Sequence, residues 1–426
     1  MTEMIIPSEA PALNELKERR LDRFARSAVL SLLKKLRLGR ITIIEGHQRH
    51  PFGETSHTAS LQADITVRHS QFYSRILFGG SIGASEAYME GLWCADDLTL
   101  VMRILALNQK AFADMEKGLA RLTAPLYKLF HSARKNTRMG SRNNILAHYD
   151  LGNDFYALFL DNTMTYSCGI FEQEHSTLED ASVAKYDRIC QKLNLKPGHR
   201  VVEIGTGWGG FAVHAAQNYG VHVTTTTISD EQYRYAEKRF HAAGVEDRVS
   251  LMKKDYRDLQ GEYDRLVSIE MIEAVGHHFY DAFFQTCNRL LKGDGLMALQ
   301  AITIGDHMFD SHKRSVDFIK RYIFPGSCIP SVTAISKAIA RGTDLRLIHL
   351  EDITPHYART LREWRRRFFD NIAKVREMGY PATFIRMWEY YLCYCEGGFA
   401  ERYIGDAQML FAKPLYRQDS LIADQT

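Results

Sequence analysis

The spacing of hydrophobic and polar residues divides the chain into two parts. In the first part, apolar residues at helical spacing predict a helix over about Leu13–Leu36, and two strand-like runs follow at Ile41–Ile44 and Leu61–Val67. The string GGSIGASEAYMEGLW predicts glycine turns and then the start of a helix, and Leu98–Leu107 reads as a leucine-rich helix. These elements predict a small first domain that contains both helices and strands.

The first predicted helix is amphipathic and basic. Lysines and arginines lie between the residues of its apolar stripe, which are Leu13, Leu16, Leu21, Phe24, Ala28, Leu32 and Leu36. A helix of this kind can lie on an anionic membrane. We favour the simpler interpretation that the stripe packs on its own domain.

From Val201 onward, strand-like runs alternate with helix-like runs. The predicted elements are the strands Val201–Ile204, Val221–Ile228, Leu266–Ile269 and Leu296–Ile304 and the helices Phe211–Asn218 and Asp230–Ala243. Alternation of this kind indicates an α/β fold with a mostly parallel, doubly wound sheet, which binds ligands at the carboxyl ends of its strands. We therefore predict a Rossmann-like domain with a smaller α+β domain before it.

The expected domain boundaries follow from this change of pattern. Residues 1–130 form the first, accessory domain, residues 131–145 a basic linker, and residues 146–426 the second domain. The linker prediction rests on His131–Asn144, which carries four basic residues and no acid. The same segment is also compatible with a lid over the second domain.

Composition adds mainly exclusions. The chain has 426 residues with 45% hydrophobic and 25% charged residues, which is typical of a globular protein. We find no uncharged apolar run long enough to span a bilayer and no secretory signal, and the seven scattered cysteines suit a reducing, cytoplasmic compartment. A formal net charge of +3 from 54 basic and 51 acidic residues does not indicate a nucleic-acid partner.

The most informative string is VVEIGTGWGG, a buried strand that ends in a glycine loop before a helix. Gly205, Gly207 and Gly210 satisfy the G-x-G-x-x-G pattern of dinucleotide sites. However, Glu203 would repel a pyrophosphate, and the next strand ends in hydroxyl residues rather than the acid that grips a ribose. S-adenosylmethionine suits the loop better, because it has no phosphate and carries an ammonium and a sulfonium. A nicotinamide-dependent oxidoreductase stays as a distant alternative.

Four further strings extend the picture, namely HYDLGNDFYALFLDNTMTYSCGIF, TTTISDEQYRYA, SIEMIEAVGHHFYDAFF and RYIFPGSCIPS. With the glycine loop, this set resembles the cyclopropane-fatty-acid synthase family, which includes the mycolic-acid methyltransferases. The resemblance is close from His148 to Asp406. The first ~130 residues are less specifically similar to the first domain of two-domain bacterial members. The resemblance to this family implies a class I methyltransferase fold for the second domain.

The resemblance also implies the residues that bind S-adenosylmethionine. They are the Tyr-Ser pair before the family's cysteine, the loop glycines, a threonine and glutamine on the next turn, and an aromatic residue beside the adenine with the arginine after it. In this chain these residues, with the acid before the loop, are Tyr166, Ser167, Glu203, Gly205, Gly207, Thr227, Gln232, Tyr256 and Arg257.

In the family, a bicarbonate ion in the catalytic pocket acts as the general base. The resemblance places its binding residues at Cys168, Glu273, Ile302 (through its backbone) and Tyr357, and at a histidine of an L-H-T-I string. That string is Leu-Gln-Ala-Ile here, so Gln300 replaces the histidine. Glutamine can donate an N–H to an anion but cannot carry a proton near neutral pH. Bicarbonate therefore stays an open expectation, and so does the product.

The activity implied by the resemblance is transfer of the methyl group of S-adenosylmethionine to double bonds of phospholipid acyl chains, giving cyclopropane rings by way of a carbocation. A second hypothesis keeps the cofactor and gives methyl- or methylene-branched chains, and a third is a non-catalytic lipid-binding protein. The expected location is the inner membrane face, where the basic residues of Arg359–Phe368 can contact anionic lipid. The first domain serves either lipid presentation or formation of a homodimer.

The adjacent pair His277 and His278 invites a metal interpretation. We reject a metal site, because adjacent histidines on a helix or strand should diverge and no ligand set of the usual spacing accompanies them.

Overall fold

The structure, a computed structural model, describes residues 20–54, 61–110 and 151–417. The described residues form two compact units, one from 20–110 and 379–397 and the other from 151–378 and 398–417. The first unit thus includes a late segment of the chain, whereas the sequence led us to expect one uninterrupted second domain. The predicted linker, His131–Asn144, lies outside the described residues.

The first unit is built on a four-stranded sheet. Its early elements are helix α1 (Arg20–Leu33), strands β1 (Gly39–Glu45), β2 (Gln48–Glu54) and β3 (Gln62–Val67), helix α2 (Gln71–Met89), strand β4 (Trp93–Ala95) and helix α3 (Leu98–Leu107). The strand order is β2-β1-β3-β4, with β1 and β3 parallel and the other pairs antiparallel. An α+β unit is therefore present as predicted, although β2 has no apolar alternation and was not predicted.

Helix α2 begins earlier than the glycine string suggested. Phe72, Tyr73 and Ile76 are buried on its first two turns, so apolar burial starts the helix at Gln71. The predicted glycine turn is reduced to a break within the helix at Gly80, where φ is 58°. Left-handed backbone is accessible to glycine at little cost, which lets the two helical halves join there.

The orientation of α1 also differs from the prediction. Its buried positions are Ala25, Val29 and Leu33, with Asp22 beside them, whereas Leu21 and Phe24 are 51% and 60% exposed. The predicted stripe placed Leu21 and Phe24 on the packed face. Ala25, Val29 and Leu33 thus lie on the packed side of the helix, and two large apolar side chains, Leu21 and Phe24, are left at the surface.

The second unit contains a seven-stranded sheet with helices on both faces. Its elements are α4 (Asn153–Ala157), α5 (Leu178–Lys192), β5 (Arg200–Ile204), α6 (Gly210–Tyr219), β6 (His222–Thr227), α7 (Asp230–Ala243), β7 (Val249–Lys253), β8 (Tyr263–Ile269), α8 (Ile272–Val275), α9 (Tyr280–Leu290), β9 (Leu291–Ile304), α10 (Asp306–His312), α11 (Val332–Gly342), β10 (Arg346–Asp352), α12 (Thr354–Asp370), α13 (Ile372–Glu377) and β11 (Ile404–Ala412). Helix α14 (Ala382–Ala400) comes between α13 and β11 in the chain, and most of it belongs to the first unit.

The order of this sheet is β10-β11-β9-β8-β5-β6-β7. Strands β7, β6, β5, β8 and β9 are parallel, and β11 is antiparallel to both of its neighbours. This arrangement confirms the predicted fold class. The order of the strands along the chain reverses between β5 and β8, so the carboxyl ends of these two strands form the expected ligand crevice.

Neighbouring residues of the central strands point to opposite faces. Val201 and Val267 belong to one apolar core, whereas Val202 and Leu266 belong to the other. Burial on both faces explains why these strands are continuous apolar runs rather than alternating ones.

Most of helix α14 belongs to the first unit because its side chains contact that unit. Glu389 accepts a hydrogen bond from the hydroxyl of Tyr88 at 2.7 Å, and Glu396 accepts one from the hydroxyl of Thr99 at 3.3 Å. Sequence spacing cannot reveal such contacts between distant segments. Within the described ranges, no helix is both long and apolar enough to cross a membrane.

Candidate active site

The glycine loop lies at the carboxyl end of β5, in the crevice. Gly205 and Gly207 have φ of 100° and 53°, a left-handed backbone that disfavours a side chain and lets the chain turn tightly into α6. Glu203, 3% exposed, accepts a hydrogen bond from the hydroxyl of Thr225 at 2.6 Å. Burial raises the pKa of Glu203 to about 8. A cationic ligand beside this carboxyl would favour its ionised form.

The second predicted binding turn joins β6 to α7. The hydroxyl of Thr227 donates to Oε1 of Gln232 at 2.8 Å and accepts the backbone N–H of Ser229 at 3.1 Å. Ser229 in turn caps α7 by accepting the backbone N–H of Gln232. The structure therefore brings Thr227 and Gln232 together at the carboxyl end of a strand that neighbours β5.

Tyr256 and Arg257 follow β7 in a short 3₁₀ helix. The guanidinium of Arg257 makes two hydrogen bonds to the Asp255 carboxylate, at 2.8 and 2.6 Å, and lies 5.5 Å from the centre of the Tyr256 ring. The ring of Tyr256 packs edge-on against Phe283 at 5.5 Å. Tyr256 is thus held as a half-buried aromatic surface, which suits an adenine.

Tyr166 and Ser167 lie on the segment between α4 and α5. The ring of Tyr166 packs between Tyr156 and Trp364, with ring centres 5.3 and 5.1 Å away. The ammonium of Lys185 donates to the hydroxyl of Ser167 at 2.7 Å. Burial lowers the pKa of Lys185 to about 8, although surrounding acids oppose the shift.

The donor set of this crevice fits S-adenosylmethionine. A buried carboxyl, a pair of hydroxyl and amide groups, and an aromatic face match the ammonium, the polar edges and the adenine of that molecule. In this arrangement Glu203 would face the cationic end, and Tyr256 the adenine. The group supplies a methyl attached to a sulfonium, which is an electrophilic carbon.

Three of the predicted catalytic residues converge on a residue that the sequence did not indicate. Oε1 of Glu270 accepts the backbone N–H of Cys168 and the amide N–H of Gln300, both at 2.8 Å. Oε2 accepts the hydroxyl of Tyr357 at 2.5 Å. Three donors around two oxygens are complementary to a carboxylate. Asp406, 1% exposed, lies beside this group, and burial raises its pKa well above the usual range.

The other two predicted catalytic residues contact each other instead. The backbone N–H of Ile302 donates to Oε1 of Glu273 at 2.5 Å. Within the described residues, Oε2 of this carboxyl has no hydrogen-bond partner. Burial, followed by the nearby charge of Glu270, raises the pKa of Glu273 to about 8. A neutral acid with one free oxygen therefore lies close to the Glu270 carboxylate.

This arrangement does not fit the bicarbonate that the resemblance implied. Cys168, Gln300 and Tyr357 direct their donors at Glu270, and the N–H of Ile302 is used by Glu273. Apart from the neutral carboxyl of Glu273, no donor of the expected set is therefore left to hold a second anion. One sequence signal pointed to this role, since Glu270 directly follows β8 at the ligand edge of the sheet.

The backbone of Glu270 is held in an uncommon conformation. Its φ is 48°, a left-handed value that costs a non-glycine residue roughly 1 kcal/mol or more. Its N–H donates to the carbonyl of Gln300 at 2.8 Å, while its side chain accepts from the amide of the same residue. Strand β9 thus fixes both the backbone and the carboxylate of Glu270.

Three residues that the sequence singled out, Cys168, His277 and His278, have surroundings that bear on their chemistry. Cys168 is fully buried, and burial raises the pKa of its thiol well above the usual range, so its side chain is no nucleophile. The rings of His277 and His278 do not diverge, because their centres lie only 3.9 Å apart in a 3₁₀ helix. The stated reason for rejecting a metal there was therefore wrong. The described residues contain no group of three or more metal-ligating side chains.

One arginine of the basic helix α12 has a different role from the expected lipid contact. The helix buries Leu361, Trp364 and Phe368. However, Arg367 donates to the carbonyls of Phe159 and Leu160, at 3.0 and 2.6 Å. This arginine holds the backbone of its own unit and cannot be assigned to lipid contact.

The comparisons with known proteins agree with this geometry. The profile of the family described as mycolic acid cyclopropane synthetase matches residues 136–409. Tuberculostearic acid methyltransferase UfaA1 of Mycobacterium tuberculosis is 39% identical over 332 residues, which are 76% of this chain and 77% of that protein. The cyclopropane-fatty-acyl-phospholipid synthase of Escherichia coli (strain K12) is 37% identical over 360 residues, 83% of this chain and 89% of that protein.

Solved structures extend the comparison to three dimensions. Mycolic acid cyclopropane synthase CmaA1 complexed with SAH and CTAB superposes with a TM-score of 0.60 at 33% identity, over 64% of this chain and 98% of that one. The cyclopropane synthase MmaA2 of M. tuberculosis has a TM-score of 0.59. These matches confirm an S-adenosylmethionine-dependent methyltransferase. The glycine loop and the Glu270 cluster both lie inside the matched region, and the chain belongs to the mycolic acid cyclopropane synthetase family.

Proposed function

We propose that this protein transfers the methyl group of S-adenosylmethionine to the double bond of an unsaturated acyl chain, and that Glu270 is the general base. The observation that carries the proposal is the Glu270 carboxylate, held by three donors at the edge of the sheet where the glycine loop also ends. The relatives support fatty-acid cyclopropanation or methyl-branching as the class of reaction.

An alkene is a weak nucleophile, so the protein accelerates its attack mainly by positioning and by excluding water. The π electrons form a bond to the methyl carbon, the carbon–sulfur bond breaks toward a neutral thioether, and the acyl chain becomes a carbocation. Glu270 then accepts a proton from the added methyl, either directly as the ring closes, or after a hydride shift has moved the cation to the carbon that bears this methyl. Such protons are very acidic, so a carboxylate that already accepts three hydrogen bonds is basic enough.

Two products follow from this common step. Loss of a proton from the added methyl with ring closure gives a cyclopropane, which is the product in the name of the E. coli relative. A hydride shift before proton loss gives a methylene branch. The second product is supported by the departure of the base itself, because Glu270 and Gln300 replace the bicarbonate and histidine expected for ring formation. A relative named as a tuberculostearic acid methyltransferase supports it as well.

The substrate in this proposal is a phospholipid at the inner membrane face, reached from the cytoplasm. Helix α1 supports this, because exposed Leu21 and Phe24 lie beside the exposed Arg20 and Arg23. An apolar pair with neighbouring cations is suited to an anionic lipid surface. A homodimer through the first unit stays part of the proposal without a contact that supports it.

The test uses purified protein, S-adenosylmethionine with a trideuterated methyl, and vesicles of unsaturated phospholipid. We expect deuterium in the acyl chains, and we expect Glu270→Gln to reduce the rate by roughly 10²- to 10⁴-fold, the usual contribution of a general base. Glu262→Gln, at an exposed position, is the matched control. Chromatography with mass spectrometry separates a saturated ring from a methylene branch, and both carry two deuteriums.

Two results would contradict the proposal. Deuterium-free lipid would exclude acyl-chain methylation. A wild-type rate in Glu270→Gln, together with a rate that falls when bicarbonate is removed from the buffer, would return the role of base to bicarbonate.

A further inference from the structure

The Glu270 carboxylate is the end of a longer chain of buried polar side chains. Gln300 donates to Glu270, and its own Oε1 accepts the amide N–H of Gln408 at 3.0 Å. Oε1 of Gln408 accepts from the ammonium of Lys192 at 2.6 Å. Gln300 and Gln408 face each other across β9 and β11, and they are 1% and 3% exposed. We call Lys192, Gln408 and Gln300 the amide relay.

The lysine fixes the direction of every hydrogen bond in the relay. An ammonium has three donors and no acceptor, so the atom of Gln408 that faces Lys192 must be its oxygen. The amide nitrogen of Gln408 must then face Gln300, and the atom of Gln300 that accepts this hydrogen bond must be its oxygen. The nitrogen of Gln300 is left pointing at Glu270. This orientation follows from donor chemistry alone and needs no choice between two amide flips.

The other end of the relay requires the same orientation. Three oxygens surround Nε2 of Gln300: Oε1 of Glu270 at 2.8 Å, the carbonyl of Cys168 at 3.3 Å, and Oδ2 of Asp406 at 3.3 Å. A reversed amide would place its oxygen among these three acceptors. Lys192 is itself held by the carboxylate of Glu351, which also pairs with Arg188.

We propose that Gln408 and Lys192 are positioning residues, which lock the Gln300 amide so that its N–H always faces Glu270. This inference rests on the proposed function, in which Glu270 is the base. Through the relay, a charged residue at the edge of the unit sets the donor that holds the base in place. Because the relay fixes the Gln300 amide, this residue can donate its N–H to Glu270 without changing its own protonation state, as a histidine would.

Several other groups face Glu270. Tyr357 and the backbone of Cys168 donate to it, Asp406 and Glu273 lie beside it, and Lys185 adds a buried positive charge nearby. The relay variants described next leave all five unchanged, so an altered pH profile reports the Gln300 amide.

The decisive variant is Gln408→Glu, which keeps the size of the side chain and removes its donor. The new carboxylate accepts from both neighbours, so Gln300 turns its N–H away from Glu270 and presents its oxygen instead. We expect kcat to fall about tenfold or more, the KM for S-adenosylmethionine to stay within about twofold, and the acid limb of the pH–rate profile to move to higher pH. A tenfold loss corresponds to one hydrogen bond of about 1.4 kcal/mol.

Two further variants separate polarity from packing. Lys192→Met removes the donor that orders the relay and should give a smaller loss of kcat with the same shift of the acid limb. Gln217→Glu, an exposed glutamine that donates to the carbonyl of Ala243, controls for the added charge. Protection against thermal unfolding by S-adenosylhomocysteine shows that each variant is folded.

Wild-type kcat and an unmoved pH profile in folded Gln408→Glu and Lys192→Met would overturn the relay. The activity of Glu270→Gln distinguishes failure of this inference from failure of the proposed function. If only the relay inference is wrong, Glu270→Gln is still inactive. If the proposed role of Glu270 as the base is wrong, Glu270→Gln is active. If Gln408→Glu does not fold, Lys192→Met decides alone, since its side chain is 12% exposed at the edge of the network.

Discussion

At the scale of single residues, burial decides which groups of this site carry charge. Glu203, Glu270 and Glu273 are all glutamates near the carboxyl ends of adjacent strands, yet their surroundings differ. Glu270 accepts three hydrogen bonds, whereas burial raises the pKa of the other two to about 8. The sequence placed two of these acids in the site but could not rank them, because donors from distant segments set their ionisation.

The raised pKa of Glu203 predicts that cofactor binding is linked to proton release. Below pH 8 the free protein holds a proton on Glu203, and a bound cation favours the carboxylate, so binding expels that proton. Affinity for S-adenosylmethionine should therefore rise between pH 6 and 8, by at most about tenfold per pH unit, and level off above. Isothermal titration calorimetry in buffers of different ionisation enthalpy measures both the affinity and the number of protons released on binding.

Glu203→Gln serves as the control for this linkage, because the amide cannot titrate. Any pH dependence that comes from the ligand's own amine persists in that variant. Equal proton release by the variant and the wild type would show that Glu203 is ionised before binding.

At the scale of elements, strands β5, β6, β8 and β9 of the second unit were predictable, and its other strands and the faces of single helices were less so. The central strands appeared as apolar runs because both of their faces are buried. Strands β7, β10 and β11 were not predicted. Strand β10 has no clear alternation of buried and exposed residues, since the adjacent residues Leu347 and Ile348 are 42% and 44% exposed. For α1, the predicted helical spacing was correct but the predicted buried face was wrong. The sequence of this helix is compatible with two different buried faces, and the spacing alone does not choose between them.

The exposed apolar pair of α1 predicts membrane association by this element. The double variant Leu21→Ser with Phe24→Ser should weaken sedimentation with anionic vesicles about tenfold or more, since each side chain adds roughly 1.5–3 kcal/mol when fully buried. Val183→Ser removes a 40% exposed residue from α5 and is the matched control. Equal sedimentation of the double variant and the control would place lipid contact elsewhere in the chain.

At the scale of the whole molecule, buried ionisable groups couple the active site to stability. The pKa of Glu273 is raised from its ordinary 4.5 to about 8. Because the folded protein binds the Glu273 proton more tightly than the unfolded chain does, this proton stabilises the folded state fully below pH 4.5. The stabilisation is lost as the pH rises through 8. Glu273→Gln should therefore become more stable relative to wild type between pH 5 and 8. We expect a relative gain of about 2 kcal/mol, or about 4–8 °C in melting temperature.

Thermal unfolding across that pH range measures this effect. Glu262→Gln, an exposed glutamate, should show no such trend. A constant difference between Glu273→Gln and wild type would mean that Glu273 is already ionised in the folded protein.

The sequence by itself determined the class of the fold and the family, and it supplied the candidate residues of the cofactor site, because these depend on local features. The alternation of strands and helices, the glycine loop and the string around Cys168 are all continuous in the chain. The tertiary structure supplied the basis for proposing Glu270 as the base and for inferring what orients it. Glu270, Gln300 and Gln408 come from three separate strand segments, and only the order β11-β9-β8 makes them neighbours. Hydrogen bonds between distant residues leave no periodic trace in a sequence, so the catalytic carboxylate and its relay became visible only once the sheet was assembled.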